Sequence, residues 1–127
     1  MKKWNMLLSS LLLVLLLAAC SSNVEDDVAA PYIERANEVV QQLNEGAYDD
    51  IYAQFNDTMK EQLTAEQLAQ IEPILQQSGE FEGIDKQSVE EKDGIHLVVL
   101  IGSHRNENRI YTISYDANDS ITGLFVQ

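Results

Sequence analysis

Two histidines, five tyrosines and one cysteine are the side chains best suited to chemistry in this 127-residue chain. His96 and His104 lie eight residues apart, on either side of an apolar stretch, and Tyr111 and Tyr115 lie four apart in the next apolar stretch. Imidazole exchanges protons near neutral pH, and phenol hydroxyls can donate to a developing oxyanion. A pocket carrying His96, Tyr111 and Tyr115 could polarise a carbonyl or assist an enolisation if a base of matched pKa stood beside it. No such base is legible. The acidic residues fall on helix flanks, turns or a polar edge strand, outside the apolar stretches where burial would raise a carboxyl pKa. The plainer roles are a single hydrogen bond on a sheet face for His96, a solvated loop position for His104, and packing with hydroxyls at a rim for the tyrosines. His96, Tyr111 and Tyr115 therefore stand as pocket candidates, with no catalytic residue and no cofactor assigned.

Other arrangements are weaker still. Asp116-Ala117-Asn118-Asp119-Ser120 begins like a calcium loop, but Ile121 stands where glycine is required and Gln127 where glutamate is required. A hairpin turn is expected there. Glu90-Glu91-Lys92-Asp93 is a charged hairpin tip, without the spacing of a glycosidase carboxylate pair. Asn56-Asp57-Thr58 and Asn118-Asp119-Ser120 match the glycosylation pattern, which has little specificity. Nucleophile elbows and phosphate loops are absent. One cysteine makes neither an internal disulfide nor a Cys-based zinc site, and no metal is expected.

That cysteine has a different context. Lys2 and Lys3 precede an apolar run from Met6 to Ala19, broken only by Ser9 and Ser10. The run is short for a membrane span, which takes about 20 residues, and has the length of a secretory signal core. Leu17-Ala18-Ala19-Cys20 resembles the lipobox of bacterial lipoproteins. The resemblance implies cleavage between Ala19 and Cys20 and a diacylglycerol on the Cys20 thiol, holding the protein at the extracytoplasmic face of a cell membrane. Two acyl chains at about 0.8 kcal/mol per buried methylene make such attachment durable. The expected organisation is a leader over 1–19, the lipid-bearing Cys20 with a flexible acidic tether over 20–30, and one domain over 31–127.

Loss of the leader would leave 108 residues, enough for one core, and would take the formal net charge from −13 to −15. Phosphate binding needs clustered Lys and Arg, so nucleic acid is excluded as a partner. The expected partners are membrane lipid through Cys20, together with a second copy, a small ligand or an envelope protein.

The elements that must position these residues fall into two halves. Pro31 suits a first helical turn, and Ile33, Ala36, Val40 and Leu43 follow at helical spacing up to Gly46. A short helix is expected over Tyr48 to Phe55. Another opens at the capping box Thr64-Ala65-Glu66-Gln67 and is kinked or broken at Pro73. Strands are expected over Phe81–Val89, Ile95–Ile101, Arg109–Tyr115 and Ile121–Val126. They are joined by an Asp93-Gly94 turn, a polar loop over Gly102–Asn108 and the turn at Asp116–Asp119. Short connections imply an antiparallel meander. Helices followed by strands give an α+β fold, with N-terminal helices packed on a curved four-stranded antiparallel sheet. The strand from Ile95 is apolar on both sides, with Ile95, Leu97, Val99 and Ile101 on one and His96, Val98 and Leu100 on the other. A second covered face is expected, filled by a curled sheet, a homodimer contact or a ligand pocket.

The stretch Ala36 through Gly46-Ala47-Tyr48-Asp49, then Phe55-Asn56-Asp57-Thr58-Met59-Lys60 and Leu63-Thr64-Ala65-Glu66-Gln67-Leu68, with Ile121-Thr122-Gly123-Leu124-Phe125 at the end, resembles the domain-of-unknown-function family 3887 over residues 32–127. That family is similar to the nuclear transport factor 2-like superfamily, which implies a cystatin-like cone of curved sheet around helices. Some relatives are isomerases or dehydratases; others bind ligands or dimerise. The family occurs in lipoproteins of Gram-positive bacteria and carries no assigned reaction. A membrane-anchored binding or interaction module is the expectation. A pocket enzyme of the isomerase or dehydratase type, or a structural subunit of an envelope complex, is the alternative.

Overall fold

The computed structural model describes residues 22–127. The expected leader and cleavage site, and Cys20, lie outside the described residues. The order of elements is β1 (Ser22–Asn23), α1 (Asp26–Glu45), α2 (Tyr48–Tyr52), α3 (Asp57–Gln62), α4 (Ala65–Leu68), a 3-10 turn (Ala69–Ile71), α5 (Glu72–Ser78), β2 (Phe81–Lys92), β3 (Ile95–His104), β4 (Asn108–Tyr115) and β5 (Ile121–Val126). The strands form one antiparallel sheet in the order β1-β2-β3-β4-β5. The expected α+β class and meander are what the chain adopts, with β1 as a two-residue addition to four long strands.

α1 starts five residues before Pro31. Val24 N–H donates to the Val89 carbonyl, and Val28 and Ala29 N–H close onto Glu25. Within the stretch expected as a tether, Ser22–Asn23 pairs with β2 and the chain is helical from Asp26. Pro31 is exposed within the helix. It removes only the bond to the Asp27 carbonyl, which also faces water. Gly46 ends the helix at φ 79, and the Ala47 N–H reaches back to Gln42 O at 2.9 Å.

α2 stops at Tyr52, short of the expected Phe55. α3 was not expected. Its signal was Asn56, whose side chain accepts from Met59 N–H at 2.8 Å. The Thr64–Gln67 capping box is present. Pro73 does break the helix. It sits in the first turn of α5, where its missing donor is harmless, and the 3-10 turn joins α5 to α4.

α1 lays Ala36, Val39, Val40 and Leu43 on the sheet's inner face. Val98 and Leu100 of β3, Tyr111, Ile113 and Tyr115 of β4 and Ile121 of β5 complete that core, all at most 1% exposed. Each such aliphatic side chain contributes about 1.5–3 kcal/mol by burial. Register shifts in β2 at Phe81–Gly83 and Ile84–Lys86, and in β4–β5 at Ser114–Tyr115, bend the sheet at its edges. Among the described residues no helix is long and apolar enough to cross a membrane.

Candidate functional site

Both histidines lie on β3 and both point inward, since His96, Val98, Leu100, Gly102 and His104 share one parity of the strand. Each stands near a tyrosine of β4, giving two His–Tyr stations at opposite ends of the sheet. At one end His104 is 3% exposed. It was expected in a solvated loop, but β3 runs on to His104 and the loop contracts to Arg105–Glu107. The Gly79 carbonyl 3.0 Å from Nδ1 can only accept, so Nδ1 carries the proton. Nε2 then accepts from the Tyr111 hydroxyl at 2.7 Å. Tyr111 oxygen in turn accepts from Asn44 Nδ2 at 3.3 Å, and Asn44 also donates to Val40 O at 2.8 Å. Every polar group in this chain of contacts has a partner. Burial pushes the Tyr111 phenol above its ordinary value, and the Asn44 bond and Arg109 only partly oppose this.

Glycines make the room. A Cβ on Gly102 would lie 2.7 Å from Tyr111 Cε2, so only glycine lets that ring lean toward His104. Gly79, at φ 91, presents its carbonyl to His104 beneath Arg105 and Asn106. Arg109 Nε donates to Ser78 Oγ at 2.6 Å and its Nη2 to Glu107 at 2.9 Å, tying the same corner together.

The other station is different. His96 and Tyr115 are register partners on β3 and β4. His96 Nδ1 and Tyr115 Oη are both buried without a hydrogen-bond partner. The Tyr32 ring stacks on His96 at 4.1 Å and lies against Tyr115 at 5.7 Å. Tyr32 Oη donates to Asp119 at 3.2 Å, and Asp119 pairs with Arg35 at 3.1 Å across the exposed rim. Burial raises the Tyr115 phenol strongly, with Arg35 opposing and Glu38 adding to it.

The structure thus separates the three pocket candidates. Tyr111 belongs to a closed hydrogen-bond chain, while His96 and Tyr115 face each other's strand without polar partners. None of the three lines either of two clefts beside the helices. A cleft of about 550 Å³ lies between the end of α1, α5 and the start of β2, and borders the Tyr111 station through Asn44, Gly79 and Phe81, whose ring packs edge-on against His104. A groove of about 570 Å³ runs between α1 and Gln87 of β2. Among the described residues no three His, Cys, Asp or Glu converge as metal ligands. At the rejected calcium loop, the Asp116 carboxylate accepts from the amides of Asn118 and Ser120, as an Asx turn does.

The outer face of the sheet is the remaining feature. Its middle row on β3 is Ile95, Leu97, Val99 and Ile101, all partly exposed. Register extends it to Ile110, Thr112 and Ser114 on β4 and to Gly123 and Phe125 on β5. Phe125 is 65% exposed and Ile110 39%. On β2 the outward partners of the row are Lys86, Ser88, Glu90 and Lys92. A hollow of about 400 Å³ opens in this face, lined by Glu90, Lys92, Asp93, Ile95, Leu97 and Ser114. The expected second cover is not supplied by a curl of the sheet, because this face is open.

No curated protein and no solved structure is similar enough to the chain to count as a match. A family described as "Protein of unknown function (DUF3887)" matches residues 36–124, from the middle of α1 to β5. That span takes in β2, β3 and β4 with both His–Tyr pairs, leaves out Tyr32 and Phe125, and shows that the chain belongs to this family.

Proposed function

We propose that this protein is an interaction module, held by a lipid on Cys20 at the extracytoplasmic face of a bacterial cell membrane, that works through the outer face of its sheet. The observation that carries the proposal is the partly exposed apolar row Ile95, Leu97, Val99 and Ile101, continued by exposed Ile110 and Phe125. Contiguous apolar surface of this kind mostly marks an interaction site. The lipobox-like Leu17-Ala18-Ala19-Cys20 supports the anchor, and helices on one face of a bent antiparallel sheet are compatible with a nuclear transport factor 2-like cone. The test is native electrophoresis of the detergent-extracted full chain. A species heavier than one chain, lost on Ile110→Glu, is expected. A chain that runs singly whether or not Ile110 is changed would overturn the reading.

A second reading, a pocket enzyme, is favoured by one observation only, the unpartnered His96 Nδ1 and Tyr115 Oη. It requires Tyr32 and the Arg35–Asp119 pair to move aside and admit a small polar ligand. Fast solvent exchange or ligand-dependent shifts of the His96 ring signals in NMR would support it. Ring signals unmoved by any added carbonyl compound would remove it.

A further inference from the structure

The outer face carries both a projection and a recess. Phe125 is the projection, the most exposed large apolar side chain among the described residues. A Cβ on Gly123 would lie 3.8 Å from Phe125 Cε2, so the ring leans along its own strand over Gly123. The hollow of about 400 Å³ floored by Ile95, Leu97 and Ser114 is the recess, and it is larger than one phenyl group. We propose that a second copy of this chain covers the outer face, with Phe125 of each copy seated in the hollow of the other. The proposal rests on the reading of that face as an interaction surface and names its partner.

Three observations favour a second copy. The first is self-complementarity, since a surface bearing both a knob and its hole is what a two-fold contact requires. A two-fold running along the strands preserves level and reverses strand order, which lays β5 of one copy over β2 and β3 of the other. Gly123, Ser114, Leu97 and Glu90 form one cross-strand row. The Phe125 ring, leaning to that row, meets the level of the partner's hollow. The same axis leaves the two chain entries, beside Glu90 and Glu91, at one end of the dimer. Two lipid anchors in one bilayer need that arrangement.

The second is charge. The chain carries a formal net charge of −13, so most of its surface repels a second copy. The paired strand positions of the outer face hold three charged residues, Lys86, Glu90 and Lys92, and two of them are positive. With Asp93 at the rim of the hollow the two signs balance, so two acidic molecules meet at this face with little net repulsion. The third is area. Four strands about 4.8 Å apart and about seven residues long at about 3.4 Å per residue present roughly 450 Å² in projection, and more in accessible surface. That is the order of the area each partner contributes to a small specific interface.

The test places a photo-crosslinking amino acid at position 125 of the full chain, expressed in a bacterium that processes lipoproteins, with a probe at exposed Thr58 of α3 as control. A product of two chains, joined between position 125 and the segment Ile95–Leu97 and absent from the Thr58 probe, is expected. A two-chain product joined elsewhere overturns the proposal. A product with a different protein overturns the second copy and leaves the outer face an interaction surface. A lipid adduct, or no product, overturns both.

Discussion

β3 presents two rows of similar apolar residues with different surroundings. The inner row, His96 to His104, is pressed against α1 and closed by hydrogen bonds at the His104 end. The outer row, Ile95 to Ile101, stays partly exposed among serine, threonine and lysine. Chemistry-bearing residues gathered on the inner side, where packing leaves little access. The residues proposed for contact are on the outer side. The difference separates structure from use: substitutions inside should change stability, and substitutions outside should change association.

The largest effect is expected from Leu100→Ala, which removes a fully buried side chain from the inner row. A loss of about 3 kcal/mol is expected from a denaturant titration, with stabilities compared at one protein concentration. Gly102→Ala follows. Its Cβ would overlap Tyr111 and move the ring off His104, for a loss of about 2 kcal/mol. In that variant the Tyr111 hydroxyl should no longer be protected from solvent exchange in NMR.

The two stations sharpen the comparison within the inner row. Tyr111→Phe leaves His104 Nε2 and one Asn44 proton without a partner, and about 1.5 kcal/mol of destabilisation is expected. Tyr115→Phe removes a buried hydroxyl that has no partner, and about 1 kcal/mol of stabilisation is expected. Destabilisation by both would mean that Tyr115 Oη has a partner in solution. pH adds a signature. The folded chain holds Tyr115 protonated well above the ordinary phenol value of 10.0, so above about pH 10 the unfolded chain releases this proton first. With respect to this group, folding stability keeps its full value below that pH and declines as pH rises further. The alkaline slope should be shallower in Tyr115→Phe. Smallest is Arg35→Gln, which breaks an exposed pair with Asp119 and should cost less than about 1 kcal/mol.

Much of this layout was legible in the sequence. The β3 alternation, the Asp93-Gly94 turn and the Thr64 capping box each rest on local chemistry, and each is present. What was hidden depended on distant partners. His104 read as loop because its neighbours are polar. Its parity with His96, Val98 and Leu100 was the available signal, and Gly102 looked like a strand end when it serves as room for the Tyr111 ring. α1 began early because Val24 and Glu25 are tied to the sheet and the first turn, which no periodicity reports. α3 is short, and only its Asn56 cap marked it. That both sides of β3 are apolar could be read directly. Which side meets α1 required the fold.

Sedimentation of the detergent-extracted full chain, with and without Phe125→Glu, tests the central claim most directly, with near-UV circular dichroism to follow the inner tyrosines. Two chains per particle falling to one, with the aromatic signal unchanged, is the expected result. One chain per particle before the substitution, or two chains retained after it, would contradict the assignment of the outer face.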